Sequence, residues 1–279
     1  MSAQTVPTKY ASVKGIQLAY RRFGKASNFP LLYLTHFRGT MDLIDPLLLN
    51  SIAKNREVIL LDSAGTGHSQ GTIEPTFAET ANTINDFLDA ISVPKVDILG
   101  FSLGGMVAQV IAVAHPHILN KLVLAGTQSS YTQGLVFSSP EVFEVANGVS
   151  PSEDDMLKLF FYSSDSSRAL GRAWWARLEE RHVSGESRTL LVDQAGGGVQ
   201  QAAIGQFVSD ATFFDKLKEI KVPVLVTNGK DDIMTPTTNS FILQQQLQDV
   251  ELHIFPDSGH GHLYQFPEKY AELLELFLD

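Results

Sequence analysis

The chain contains no cysteine among its 279 residues. Disulfides, thiolate metal centres and cysteine nucleophiles are therefore excluded, and any covalent chemistry falls to another side chain. Positive charge is also scarce. Lys and Arg number 21 against 31 Asp and Glu, a net charge of −10, which speaks against nucleic acid and anionic membrane as partners. No uninterrupted apolar run approaches the roughly 20 residues that span a bilayer. The opening MSAQTVPTKY has neither a basic start nor an apolar stretch, so the expectation is a cytoplasmic protein.

Other absences narrow the chemistry. No G-K-[ST] triplet is present for a phosphate loop. Gly65-Thr66-Gly67 follows a strand-like run, but Gly71 comes one residue late for a dinucleotide fingerprint and Pro75 interrupts any helix opening there. His115-Pro116-His117 and His260-Gly261-His262 lack a third ligand at suitable spacing, so no metal is expected. A small-molecule substrate is the expected partner, no cofactor is called for, and homo-oligomerisation stays open.

What is present is an alternation. Short apolar runs without polar alternation recur at 16–20, 31–35, 58–62, 96–99, 122–125, 222–227 and 252–255. Helix-patterned segments at 42–54, 77–91, 239–247 and around Tyr270 to Phe277 separate the later runs, the second opened by Thr76 with Glu79 three residues on. This pattern predicts an α/β fold with a mostly parallel central sheet flanked by helices. Lys14-Gly15 suggests an antiparallel hairpin at the sheet edge.

The alternation breaks once. Between about Gln128 and Phe214 the readable segments are helical: Ser152 capping EDDMLKLFFY, 169–181, and 199–208, with Gly196 to Gly198 as a flexible joint. The expected organisation is a core domain of residues 1–127 and 215–279 with an inserted helical cap at 128–214. Leu170, Trp174 and Leu178 fall on one helix face, which predicts core packing for Trp174. Trp175 is left as a candidate for the substrate pocket.

One stretch carries chemistry. In LGFSLGGMVAQ, residues 99–109, a strand-like run meets a helix-patterned run through Gly100-Phe101-Ser102-Leu103-Gly104 with no loop between. So tight a corner strains its apex residue, demands small neighbours, and lifts the serine over the N-terminus of the helix. This is the G-x-S-x-G nucleophile elbow. A serine needs a base, oriented in turn by an acid. NGKDDIMTP offers Asp231 or Asp232 after one strand, and PDSGHGHLYQ offers His260, or His262, after the next. Loops at the carboxyl ends of parallel strands converge over the sheet, so sequence separation is no obstacle.

With these residues in place, the chain resembles the α/β-hydrolase family over nearly its whole length. LLDSAGTGHSQG, residues 60–71, is similar to the family's turn after the fourth strand. The resemblance implies a Ser102, Asp232, His260 triad, because Gly229 and Pro236 set the family's spacing around Asp232, and Ser258-Gly259 precede His260. It also implies a second oxyanion donor after the third strand. There the family's His-Gly is replaced by LTHFRGT: His36 matches, Phe37 stands for the glycine, and Arg38 falls at the donor position. The backbone amides of Arg38 and Leu103 are thus the expected donors, with Phe37 as runner-up donor and as a pocket residue, and His36 as structural. Arg38 is expected to pair with Asp42 or Asp45. The implied activity is hydrolysis of a carboxylic ester or lactone. Carbon–carbon bond hydrolysis and cofactor-free perhydrolysis are alternatives on the same triad, and a small-ligand receptor is the non-catalytic one.

Overall fold

Lys14 (φ 49°) and Gly15 (φ 85°) are both left-handed, as a tight two-residue hairpin requires. In the computed structural model, which describes residues 1–279, this turn joins β1 (Lys9–Val13) to β2 (Ile16–Gly24) in antiparallel register. Next come β3 (Leu31–Leu34), α1 (Pro46–Ala53), β4 (Glu57–Leu61), α2 (Phe77–Ala90), β5 (Val96–Phe101), α3 (Leu103–Ala114) and β6 (Leu119–Ala125). The sheet has eight strands in the order β1-β2-β4-β3-β5-β6-β7-β8, and only β2 runs against the rest.

The apolar runs serve both faces. Leu31 and Tyr33 belong to one buried cluster, Leu32 and Leu34 to the other. That division explains why these strands show no polar alternation.

Between β6 and β7 (Val224–Gly229) residues 128–214 contain no strand. They form α4 (Pro140–Ala146), α5 (Glu153–Phe160), α6 (Asp165–Arg177) and α7 (Gln194–Ser209), followed by α8 (Phe213–Lys216). Ser152 caps α5 through a complete capping box with Asp155. The chain then closes with α9 (Thr238–Gln246), β8 (Val250–Phe255), α10 (His262–Gln265) and α11 (Pro267–Leu278). No helix is long and apolar enough to cross a membrane.

Three sequence expectations need correction. The helix expected over 42–54 is a 3-10 turn at Met41–Leu43 followed by α1. Pro46 disfavours helical geometry at Asp45, which instead caps α1 by accepting from the Leu47 amide at 2.9 Å. The glycine run 196–198 is no joint; it lies in the first turns of α7, which Asp193 caps by accepting from the Gly196 amide at 2.8 Å. Two of its members give clearance: a Cβ on Gly196 would stand 2.5 Å from the Val192 side chain, and one on Gly197 3.0 Å from the Arg38 side chain. Finally, Trp174 and Leu178 are buried, but Leu170 is 40% exposed. The residue beside it, Gly171, lets α6 press against Leu157 and Phe161 of the preceding segment.

Candidate active site

Ser102 sits at φ 57°, ψ −118°, a conformation that costs a non-glycine residue about 1–3 kcal/mol. Its backbone is held on both sides: the Ser102 amide donates to the Ala125 carbonyl (2.9 Å) and the Thr127 hydroxyl donates to the Ser102 carbonyl (2.8 Å). The corner closes because Gly104 has no side chain. A Cβ there would lie 2.2 Å from the Leu34 carbonyl oxygen.

The loops after β7 and β8 meet beside it. His260 Nδ1 lies 2.8 Å from Asp232 Oδ2, and both side chains are essentially buried. Burial by itself would raise the Asp232 carboxyl. The His260 ring and the Thr235 amide and hydroxyl outweigh burial and hold the carboxyl below its ordinary value. The Met234 amide (2.7 Å), the Thr235 amide (2.9 Å) and the Thr235 hydroxyl (2.8 Å) all donate to this carboxylate. Since a carboxylate only accepts, Nδ1 of His260 carries a proton and Nε2 presents a lone pair. That Nε2 is buried and has no hydrogen-bond partner. His260 and Ser102 line the same small cavity, although no hydrogen bond joins them. Catalytic hydrogen bonds are often loose before substrate binds and tighten in the complex.

The alternatives lie elsewhere. Asp231 is half-buried and its side chain makes no hydrogen bond. His262 is buried behind the loop, with Nε2 2.9 Å from the Thr227 hydroxyl and Nδ1 3.0 Å from the His260 carbonyl. Burial lowers it to about 3, so it is a neutral strut for the loop that presents His260.

The oxyanion expectation changes at Arg38. Its backbone N–H already donates to Gln200 Oε1 at 2.8 Å, whereas the amides of Phe37 and Leu103 have no acceptor. The turn His36–Gly39 closes with a 2.9 Å bond from the Gly39 amide to the His36 carbonyl and places Arg38 at φ 58°. Phe37 and Leu103 are therefore the free donors near Ser102. The side-chain pairing expected for Arg38 also fails. Asp42 is taken by Arg21 (2.7 Å) and Arg181 (3.3 Å), and Asp45 by Arg177 (2.6 Å). The Arg38 guanidinium instead donates to carbonyls of Val192 (2.6 Å), Ala146 (3.2 Å), Gly148 (2.7 Å) and Val149 (3.3 Å). Two of these, at the end of α4 and just beyond it, carry the negative pole of that short helix.

This arrangement gives a prediction. Arg38→Ala leaves those carbonyls unpaired and should lower stability by about 3 kcal/mol, read as a fall in Tm. It should slow turnover of neutral and carboxylate-bearing esters by similar factors, because the turn carrying the Phe37 amide loosens. A loss confined to carboxylate-bearing substrates would instead make Arg38 a substrate anchor.

Two cavities reach Ser102. The smaller, about 350 Å³, is lined by His36, His260, Phe160, Leu159, Met156 and others. The larger, about 630 Å³, runs past Leu103, Met106, Phe137, Phe143, Ile204 and Val208. Phe37, Ala146 and Met234 line both. Trp175 lines neither; it is half-buried against the core, with Trp174 beside it at 5.8 Å between rings. Sequence reasoning missed Thr235 and Gln200. The D-x-x-T pattern of Asp232 to Thr235, a carboxylate bonding its own following turn, was a usable signal for the first. Nothing local marks Gln200, which lies 162 residues from Arg38.

A family model described as the alpha/beta hydrolase fold matches residues 32–267. The chain belongs to the α/β-hydrolase family. It is 32% identical to an alpha/beta hydrolase fold protein from Chitinophaga pinensis, with a TM-score of 0.90 over 100% of this chain and 99% of that one. It is 28% identical over 240 residues to a 2-hydroxy-6-oxononadienedioate/2-hydroxy-6-oxononatrienedioate hydrolase of Paraburkholderia xenovorans, covering 84% of this chain and 79% of the relative. The human serine hydrolase BPHL is 23% identical over 281 residues, 98% of this chain and 87% of that protein.

Proposed function

We propose that this α/β hydrolase cleaves a carboxylic ester or lactone of an uncharged small molecule, with Ser102 as nucleophile. The observation that carries the reading is the buried His260–Asp232 pair, whose free Nε2 belongs to a ring lining the same cavity as Ser102. Ser102 Oγ attacks the acyl carbon while its proton passes to His260 Nε2. The Phe37 and Leu103 amides receive the oxyanion. The protonated ring then donates to the leaving alkoxide as the acyl–oxygen bond breaks. Water, deprotonated by the same nitrogen, releases the acid. Asp232 stays ionised throughout and fixes the ring's tautomer. The helical excursion 128–214, acting as a cap, supplies most of the specificity.

Lining charge supports an uncharged substrate. The larger cavity has no charged side chain, and the only one in the smaller, apart from the titratable histidines, is Arg38, already bound to four carbonyls. A second reading, carbon–carbon bond hydrolysis on the same residues, rests on the relative named for a dienedioate. A dioate brings two carboxylates, and this lining has no free cation to receive either. An unpaired buried charge costs several kcal/mol. Neutral p-nitrophenyl esters should therefore exceed their carboxylate-bearing analogues by at least about 100-fold in kcat/KM.

A panel of neutral esters, lactones and a dienedioate, run beside a serine-directed phosphonate, tests the proposal. Turnover of neutral esters with labelling at Ser102 is expected. Turnover of the dienedioate alone would favour the second reading. Stoichiometric labelling without turnover of any substrate would make the chain a small-ligand receptor.

A further inference from the structure

The smaller cavity holds a second buried imidazole that the mechanism above does not use. His36 lines it together with Ser102 and His260. Its Nδ1 lies 2.9 Å from the Phe37 carbonyl oxygen. A carbonyl oxygen only accepts, so Nδ1 carries the proton and Nε2 is a bare acceptor. That Nε2 is buried and has no hydrogen-bond partner, and the residue is 3% exposed. The ring is fixed between Phe101 (5.7 Å) and Phe160 (5.1 Å), both edge-on. Burial lowers it to about 4, so the ring is neutral near pH 7.

An unmet acceptor in such a place costs roughly 1–3 kcal/mol. The neighbouring lining cannot satisfy it. Met156, Leu159, Phe160, Leu191 and Met234 are apolar, and the N–H groups of Arg38 are turned to carbonyls and Gln200. Ser102 and the Phe37 amide are the remaining donors, and the mechanism commits the first to His260 and the second to the oxyanion.

We infer that His36 Nε2 accepts a hydrogen bond from a hydroxyl or N–H on the substrate, so that the part of the ester in the smaller cavity carries a neutral donor close to the scissile bond. This rests on the ester reading above. It makes His36 a specificity residue and divides the site chemically: one lobe recognises a donor, and the larger one takes an apolar group past Phe137 and Phe143. An apolar-only substrate would leave Nε2 unpaired, and a site built to bond a polar group discriminates against its deletion.

Matched substrates that exchange a hydroxyl for a methyl test this. Phenyl glycolate against phenyl propionate places the donor on the acyl side. 2-Hydroxyethyl benzoate against propyl benzoate places it on the alcohol side. Each kcat/KM is divided by the hydroxide-catalysed rate of the same ester. Wild-type protein should prefer the hydroxyl member of one pair by about tenfold or more, and the pair that responds identifies the side. In His36→Phe the preference should vanish, and in His36→Gln, which keeps an acceptor, part of it should return. No preference in the wild-type protein overturns the proposal whether or not either variant folds. An equal preference in all three proteins overturns it too and makes the partner of Nε2 a bound water. Failure of all four esters overturns the ester reading and the His36 proposal with it. Turnover with unaltered ratios overturns the His36 proposal alone.

Discussion

Ser102→Ala should lower kcat/KM by roughly 10⁴- to 10⁶-fold, the cost of removing a serine nucleophile from a unit whose members act together. Stability should barely change. The hydroxyl makes no hydrogen bond to lose, and the backbone bonds to Ala125 and from Thr127 remain. Alanine meets the same strain at φ 57° that serine does. The variant is therefore a clean separation of chemistry from folding: its Tm and its affinity for a non-hydrolysable ester analogue should match the parent while turnover disappears. Turnover at the parental rate would remove Ser102 from the reaction and, with it, the reason for reading the elbow as a nucleophile site.

The legibility of this result in the sequence has a physical pattern. Strands buried on both faces, such as Leu31–Leu34 and Val96–Phe101, announce themselves because burial on two sides leaves almost only apolar residues, Asp97 with its Arg56 partner being the exception. The elbow is legible because its geometry forbids side chains at Gly100 and Gly104, which leaves a fixed spacing around Ser102. Asp232 is legible through the residues that shape its turn. Features made by distant contacts were not. Arg38 looked like a partner for Asp42 and Asp45, which are close in the chain. Asp42 is instead claimed by Arg21 from β2 and by Arg181, and Asp45 by Arg177, the last two more than a hundred residues away. The same holds for the glycine run at 196–198. Locally it reads as a hinge, yet it is helical, with Gly196 packed against Val192 and Ile73 and Gly197 against the Arg38 side chain. The choice between Arg38 and Phe37 as amide donor turned on Gln200, whose side chain gives no local sign of where it will reach.

Asp232→Asn should cost about 10⁴-fold in kcat, and the neighbouring Asp231→Asn no more than about threefold. The contrast follows from hydrogen-bond direction. Asp232 Oδ1 accepts from the Met234 and Thr235 amides, and Oδ2 faces His260 Nδ1. An asparagine keeping its oxygen on the two amides must turn its NH₂ towards His260. Nδ1 then has to accept, the ring proton moves to Nε2, and Nε2 can no longer take the proton of Ser102. Fold and cavity survive, so affinity for a non-hydrolysable analogue should change little while kcat collapses. In the wild-type protein the carboxyl is held below its ordinary 3.8 by His260 and Thr235, against the opposing effect of burial. The anion therefore persists throughout about pH 5–8, and any acid-side loss of activity in that window belongs to another group. Its contribution to stability is present above the ordinary carboxyl value and disappears only as pH falls through the lowered one. Asp231 has no such entanglement: its side chain bonds to nothing, and only its amide, donating to the Ser258 carbonyl at 2.9 Å, ties it to the site. An Asp231→Asn variant crippled as severely as expected for Asp232→Asn, with Asp232→Asn nearly normal, would mean that the spacing between Gly229 and Pro236 selects the wrong carboxylate.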